Sequence, residues 1–563
     1  MENMENSEKL GTFHVESLAR DGLFKEEATW AKYIPGGYDP ARTLKLEGRA
    51  MVNATLLLAG LAIMFFGYDS SVMSQVNTNE DYLRHMGTDS GSGRDAAAIG
   101  GLVSLWFGGF LIGALAVGAL ADRIGRLRTI TLGCLWGLFG GALQASAQNI
   151  TWMAFARVIG GIGCGHLNTV VPIWTSELAD PRARGAFVAT EFTLALTGAT
   201  IVYWIEYACM RTTSLAFAWR FPVGLQVIFL LLIVGAIPFF PESPRHLAQT
   251  GRLDDARMVL RRNRIAAADG DVDRELAEIV AALRFEARSN ESNGGGATSY
   301  WRMLTRRDNL HTRRRLLLGM GVQVMQKFTG IDFISTYAPE MFALAGYTGN
   351  KPSLLAGGNF FGYVASLALA IYLCDRVGRR RLMLIGSSLM CVVLIAGGVL
   401  SHEVIRLSDE GRHKTASACG AGVTTVLYLY TFLYGSTWLT TCWVYPTEIF
   451  PLASRAKGAA VATVAFSLAG GFINEIVPYL INGIGFWVFI LFALINLVML
   501  VPIYLFYIET ANRHLEDLDY LFAHDSPFAW RAERDFAAMK QAEQAAAAEP
   551  LQETAEAETR EDV

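Results

Sequence analysis

Asp122-Arg123-Ile124-Gly125-Arg126 and, in the second half of the chain, Asp375-Arg376-Val377-Gly378-Arg379 follow one pattern: acid, arginine, aliphatic, glycine, arginine. A second pair of motifs recurs behind them in the same order. Glu177 is followed seven residues later by Arg184, and Glu448 seven residues later by Arg455. Two unrelated motifs repeated in one order imply a chain made of two equivalent halves.

The segments around these motifs are apolar. Of the 563 residues, 52% are hydrophobic and 18% charged, against about 25% charged in an average soluble protein. Mean hydropathy is +0.30. So few charges cannot cover the surface of three or four soluble domains, so the apolar residues face lipid. A bilayer-crossing helix needs about 20 mostly apolar residues. Twelve such runs are present, near 50–73, 97–121, 129–147, 151–174, 186–208, 219–240, 316–342, 354–374, 382–400, 423–445, 458–481 and 485–508. The expected fold is an all-α integral membrane protein with twelve transmembrane helices in two pseudo-symmetric six-helix halves, 50–240 and 314–508. Residues 1–49, 241–313 and 509–563 are hydrophilic and form an N-terminal tail, a linker of short amphipathic helices and a C-terminal tail whose Ala/Glu-rich end is expected to be disordered.

Basic residues follow every second run: Arg123, Arg126 and Arg128; Arg182 and Arg184; the arginines of 241–313; Arg376, Arg379, Arg380 and Arg381; Arg455 and Lys457. Positive loops mark the cytoplasmic side, which puts both termini in the cytoplasm. A formal net charge of −4 gives no reason to expect a nucleic-acid partner. The seven cysteines are scattered without metal-ligand spacing, and no nucleophile–base pair or nucleotide loop is present. No cofactor and no enzymatic activity are expected.

Duplicated six-span halves suit alternating access, in which two bundles rock about a central site. The loop charges then act as clasps, with Asp122, Arg123, Arg126, Glu177 and Arg184 in one half and Asp375, Arg376, Arg379, Glu448 and Arg455 in the other. The plainer alternative is that these charges only set topology.

The motifs together resemble the sugar porter family of the major facilitator superfamily, particularly its fungal members. The matching residues are Phe66-Gly67-Tyr68-Asp69, the Asp122 and Asp375 motifs, Arg157 with Gly161, Gly163 and Gly165, Pro241-Glu242-Ser243-Pro244-Arg245, Gln326 with Gly330-Ile331, Pro446-Thr447-Glu448-Ile449-Phe450-Pro451 and Glu509-Thr510. The resemblance implies the major facilitator fold and transport of a small solute (a sugar, polyol or sugar acid) through a multi-pass protein of the plasma membrane, with no covalent chemistry. It also implies that Asp69 is the proton site of a coupled transporter. Counting 1.5 Å of rise per residue, Asp69 and Arg157 lie at one depth and can pair; a carboxylate inside an apolar span is costly and functional by default. A static buried pair is the alternative. Glu191 is a candidate second coupling group, whereas Glu206 and Glu475 are expected to be wet or paired near the outer interface, and His166 to be a packed polar residue.

The resemblance assigns solute contacts to Gln323, Gln326 and Trp443, with Asn359 one turn from a family asparagine position occupied here by Tyr363. Lys327 and Asp332 stand where the family has amides. An ammonium only donates hydrogen bonds, where an amide both donates and accepts, so Lys327 can instead engage a solute carboxylate. Lys327 and Asp332 can also neutralise each other, but five residues place them about 140° apart on a straight helix. Their direct pairing requires unwinding near Gly330. An acidic solute and a neutral sugar remain open, as do import, export and a nutrient receptor that does not transport.

Overall fold

A computed structural model describes residues 28–90, 93–178, 184–264, 269–292, 311–450, 455–511 and parts of 513–539. The twelve apolar runs become twelve helical crossings. The first half contains α1 (Arg49–Ser71), α2 (Gly93–Ile124), α3 (Arg126–Ala145), α4 (Ile150–Leu178), α5 (Arg184–Cys209) and α6 (Leu215–Ala236). The second contains α7 (Thr312–Phe328), α8 (Lys351–Val377), α9 (Arg379–Asp409), α10 (His413–Tyr434), α11 (Arg455–Ile484) and α12 (Trp487–Phe506). Among the described residues, nine helices, some with their continuations, are long and apolar enough to cross a membrane. Of the other three, α3 and α4 carry buried arginines, Arg126 and Arg157, and α7 is broken.

Two crossings depart from single straight helices. The run expected over 316–342 is interrupted at Gly330, whose φ of +101° suits the left-handed region that glycine enters without a Cβ penalty. Helices Ile331–Ser335 and Ala338–Leu344 complete that crossing. The break frees the Thr329 carbonyl, which accepts from Tyr430 Oη at 2.8 Å and from Asn496 Nδ2 at 2.8 Å. A freed carbonyl in a dry interior needs such partners. In the tenth crossing, α10 passes through one π-helical turn, Gly435–Leu439, into Thr440–Ile449; such turns interrupt the regular ladder and re-aim side chains.

Each half has its own apolar core, one centred on residues such as Phe65, Phe110 and Trp174, the other on Phe333, Tyr430 and Phe489. The halves meet through α2 against α11 and α5 against α8. In each interface the second helix of one half faces the fifth of the other, as the repeat demands. Glycines allow close approach within the first half: a Cβ on Gly161 would fall within van der Waals distance of the Trp106 carbonyl, and one on Gly165 would meet that of Phe110. The spacing of these small residues therefore serves helix packing.

The described parts of both tails fold onto the face that carries the basic loops. Ala28 N donates to Arg123 O at 3.3 Å, and Gly48 N to Arg262 O at 2.8 Å. The linker forms helices Pro244–Gln249, Leu253–Asn263 and Asp269–Ser292, whose Leu247, Ala256 and Val259 join the first core. After α12, Leu518, Leu521, Phe522 and Phe536 are buried against the second core. The Gly294-Gly295-Gly296 stretch and the Ala/Glu-rich end lie outside the described residues.

Candidate functional site

The repeated loop motifs build two matching networks. Arg126, the first residue of α3, donates to both oxygens of Glu177 at the end of α4, each at 2.9 Å, and lies 3.3 Å from Asp122. In the second half Arg379 Nη2 lies 2.9 Å from Glu448, which also accepts from Thr510 Oγ1 at 2.6 Å. Among the described residues these pairs join neighbouring helix ends within each half. Arg123 and Arg376 are exposed, and Arg376 lies over the Tyr372 ring. The side chains of Arg184, Asp375 and Arg455 lie outside the described residues.

Two acids that had no assigned role complete these networks. Glu242 accepts backbone hydrogen bonds from Arg126 at 3.0 Å and Leu127 at 3.2 Å, at the N-terminus of α3. Glu509 accepts from Arg379 at 2.7 Å and Arg381 at 3.4 Å, at the N-terminus of α9. Each carboxylate meets otherwise unsatisfied N–H groups and the positive end of a helix dipole. The glycines before these helices, Gly125 and Gly378, have φ of +91° and +99°. A Cβ there would lie 2.5 Å from Glu242 Oε2 or 2.6 Å from Glu509 Cδ. The signal for both acids is in the repeat itself: each follows the sixth apolar run of its half.

Asp69 and Arg157 come together as their depths predict. Arg157 Nη1 lies 3.7 Å from Asp69 Oδ1, and neither residue is more than 1% exposed. Asp69 Oδ2 accepts from Trp106 Nε1 at 2.6 Å and Cys164 Sγ at 3.2 Å, whereas Oδ1 has no hydrogen-bond partner. Arg157 donates to Gln144 Oε1 at 3.3 Å. The carboxylate is therefore held on one oxygen by neutral donors and on the other only by charge. Glu191 is buried and accepts from Thr175 Oγ1 at 2.7 Å. His166 is a packed polar residue, with Nδ1 3.0 Å from the Ile162 carbonyl.

The break at Gly330 brings Lys327 and Asp332 into contact, Nζ to Oδ1 at 3.0 Å. Asn474 Nδ2 donates to the other Asp332 oxygen at 3.1 Å, and the ammonium lies 4.4 Å from the Phe466 ring centroid and 5.0 Å from that of Phe107. The unwinding that their mutual neutralisation requires is present, so the ammonium is paired within the protein. Around this pair, Gln323 donates to the Cys442 carbonyl at 3.0 Å and Gln326 to Tyr434 Oη at 2.9 Å. The side-chain oxygens of Gln323, Gln326 and Asn474 are buried without hydrogen-bond partners. Trp443 lies between Phe466 and Phe192, with centroids at 5.0 and 5.6 Å and the rings tilted by 57° and 41°. Asn359 lies apart from these orphaned oxygens in its bonding: its Oδ1 is taken by Thr431 Oγ1 at 2.6 Å. Asn474, Tyr434 and Phe107 were not expected here, because they reach the site from other helices.

Glu206 corrects a further expectation. It is 0% exposed and enters no ion pair among the described residues, so it is neither wet nor paired.

The family description "Sugar (and other) transporter" matches residues 55–522. The MFS-type transporter oryC of Aspergillus oryzae is 34% identical over 460 residues, covering 81% of this chain and 82% of the relative. Sugar transporter STL1 of Saccharomyces cerevisiae is 27% identical over 498 residues, covering 86% and 84%. The solved structure of the proton:xylose symporter XylE bound to 6-bromo-6-deoxy-D-glucose superposes with a TM-score of 0.68 at 22% identity, covering 84% of this chain and 99% of that chain, and shares the fold. A multi-pass transporter and not an enzyme, the chain belongs to the sugar porter family of the major facilitator superfamily.

Proposed function

We propose that this protein imports a neutral polyhydroxylated solute, a sugar or polyol, by proton symport with alternating access, across the plasma membrane and with both termini in the cytoplasm. The observation that carries the reading is the buried Asp69–Arg157 pair at 3.7 Å. Two unit charges at about 4 Å attract by roughly 4 kcal/mol at an effective dielectric of about 20. Driving a two-state equilibrium from one extreme to the other takes about 5.5 kcal/mol. Protonating Asp69 removes an interaction of that order, frees Arg157 and changes which orientation of the halves is favoured.

The solute class follows from the site. With Lys327 cancelled by Asp332, no net charge is left for a carboxylate, and the unpartnered oxygens of Gln323, Gln326 and Asn474 offer acceptors to hydroxyl donors. The rings of Trp443 and its neighbours offer an apolar face for carbon-bound hydrogens of a sugar. The relatives described as a sugar transporter and a proton:xylose symporter support the same class.

Liposome uptake of a panel of neutral sugars, polyols and sugar acids, with and without an inward proton gradient, tests this. Gradient-driven accumulation of a neutral member is expected, and Asp69→Asn should still equilibrate that solute but not concentrate it. Uptake that ignores the gradient and survives Asp69→Asn unchanged would end the coupling claim.

A further inference from the structure

On the face opposite the basic loops a three-residue contact joins the halves. Ser353, near the start of α8, donates to Gln75 Oε1 at 3.1 Å, and its carbonyl accepts from Tyr203 Oη of α5 at 3.0 Å. One turn beyond Tyr203 lies Glu206, fully buried, with no side-chain hydrogen-bond donor on either carboxyl oxygen among the described residues. Among the described residues, the groups around it offer no charge of opposite sign. Tyr68 from α1, Tyr203 from α5 and Cys209 lie within its field, and the backbone of Gln75 faces it. The hydroxyls are committed elsewhere: Tyr68 donates to the Pro222 carbonyl at 2.7 Å and Tyr203 to Ser353. Arg211, the cation nearest in sequence, is exposed and bonded to Tyr207. Across the gate, Glu340 also lies near Tyr203 and likewise has an unpartnered oxygen, Oε2.

We propose that Glu206 is a proton-binding latch: the gate formed by Gln75, Tyr203 and Ser353 closes only over its neutral carboxyl and opens when that carboxyl ionises. An ionised carboxylate with no counter-charge and only one backbone group facing it is strongly disfavoured in a dry interior, whereas an open gate admits water to solvate it. Closing the gate therefore takes up one proton. Above the group's titration point, the ratio of closed to open gate falls about tenfold per pH unit. The proposal deepens the symport reading and rests on it only for the direction of flow, because a proton taken from outside would then be a condition for the loaded carrier to close.

The test uses the full chain in lipid nanodiscs without solute. Thr213 and Lys351 are exposed on either side of the gate; spin labels at Thr213→Cys and Lys351→Cys, with the partly exposed Cys419 changed to Ser, report its opening by pulsed electron resonance distances. Between pH 5.5 and 8.5 the short-distance population should give way to a longer one. Glu206→Gln should stay short throughout, Glu206→Asp and Glu340→Gln should keep a transition, and Asp69→Asn, whatever its starting distribution, should keep the pH dependence. A parent distribution that does not change with pH overturns the proposal, as does a Glu206→Gln variant that opens like the parent or a Glu340→Gln variant that abolishes the transition. If the Glu206→Gln variant failed to fold, a Glu206→Asp variant locked short would overturn it equally. Loss of gradient-driven uptake in the parent would retire the symport reading while leaving this result standing.

Discussion

Removing the Lys327 ammonium while keeping its packing, by Lys327→Met, leaves Asp332 buried with Asn474 as its one remaining donor among the described residues. Both side chains of the pair are about one-tenth exposed (8% and 10%) and 3.0 Å apart. Breaking such a buried pair costs about 3–5 kcal/mol. The lost cation–π contacts with Phe107 and Phe466 add about 0.5–2 kcal/mol, while the Asn474 bond to Asp332, present in the parent, remains. Asp332→Asn leaves the ammonium facing two rings and should cost about 2–4 kcal/mol. The double variant carries no orphaned charge and should lie within about 1–2 kcal/mol of the parent, a coupling of at least about 2 kcal/mol. At roughly 2 °C per kcal/mol for a large domain, each single change should lower the melting midpoint by several degrees and the second change should restore most of it. Thermal unfolding in detergent, followed by tryptophan fluorescence and by recovery on size exclusion, reads this directly. A Lys327→Met variant as stable as the parent, or strictly additive losses in the double variant, would refute the reasoning. So would Lys327→Gln moving solute preference from acids toward neutral sugars, because the ammonium would then have been serving a solute anion.

The remaining predictions concern the basic-loop networks. Gly378→Ala places a Cβ at a positive φ, at about 1–2 kcal/mol for the backbone alone, and against the Glu509 carboxyl; the melting midpoint should fall, and by more than for Gly411→Ala, where a Cβ meets nothing within 4 Å. Glu177→Gln removes the bidentate partner of Arg126 and should cost about 2 kcal/mol or more, whereas Asp122→Asn, at a half-exposed position, should cost a few tenths; equal losses by chemical denaturation would show that the network is not organised around Glu177.

The repeat of the Asp122 and Asp375 motifs and the twelve apolar runs were legible because both are one-dimensional signals. Hydropathy over about 20 residues decides what can cross a bilayer, and a duplicated motif needs no knowledge of distance. The Asp69–Arg157 contact was legible for a similar reason, since helical rise converts position into depth. Helix ends were less so: α9 runs to Asp409 and α10 starts at His413, well beyond the apolar runs, because a helix continues past the hydrocarbon wherever its backbone bonds remain satisfied.

By itself, then, the sequence determined the number of crossings, the two-half plan, the charged face and the family, all of which follow from local composition and order. Only the tertiary structure decided which charges are spent and which are left over. Lys327 meets Asp332 because the chain turns at Gly330. Glu242 and Glu509 become helix caps because the sixth crossing of each half returns beside the third. Glu206 is left without a counter-charge among the described residues because α1 and α5 bring only Tyr68, Tyr203 and Cys209 beside it. Each outcome depends on distances between helices far apart in the chain, and a run of apolar residues carries no information about which neighbour it will face.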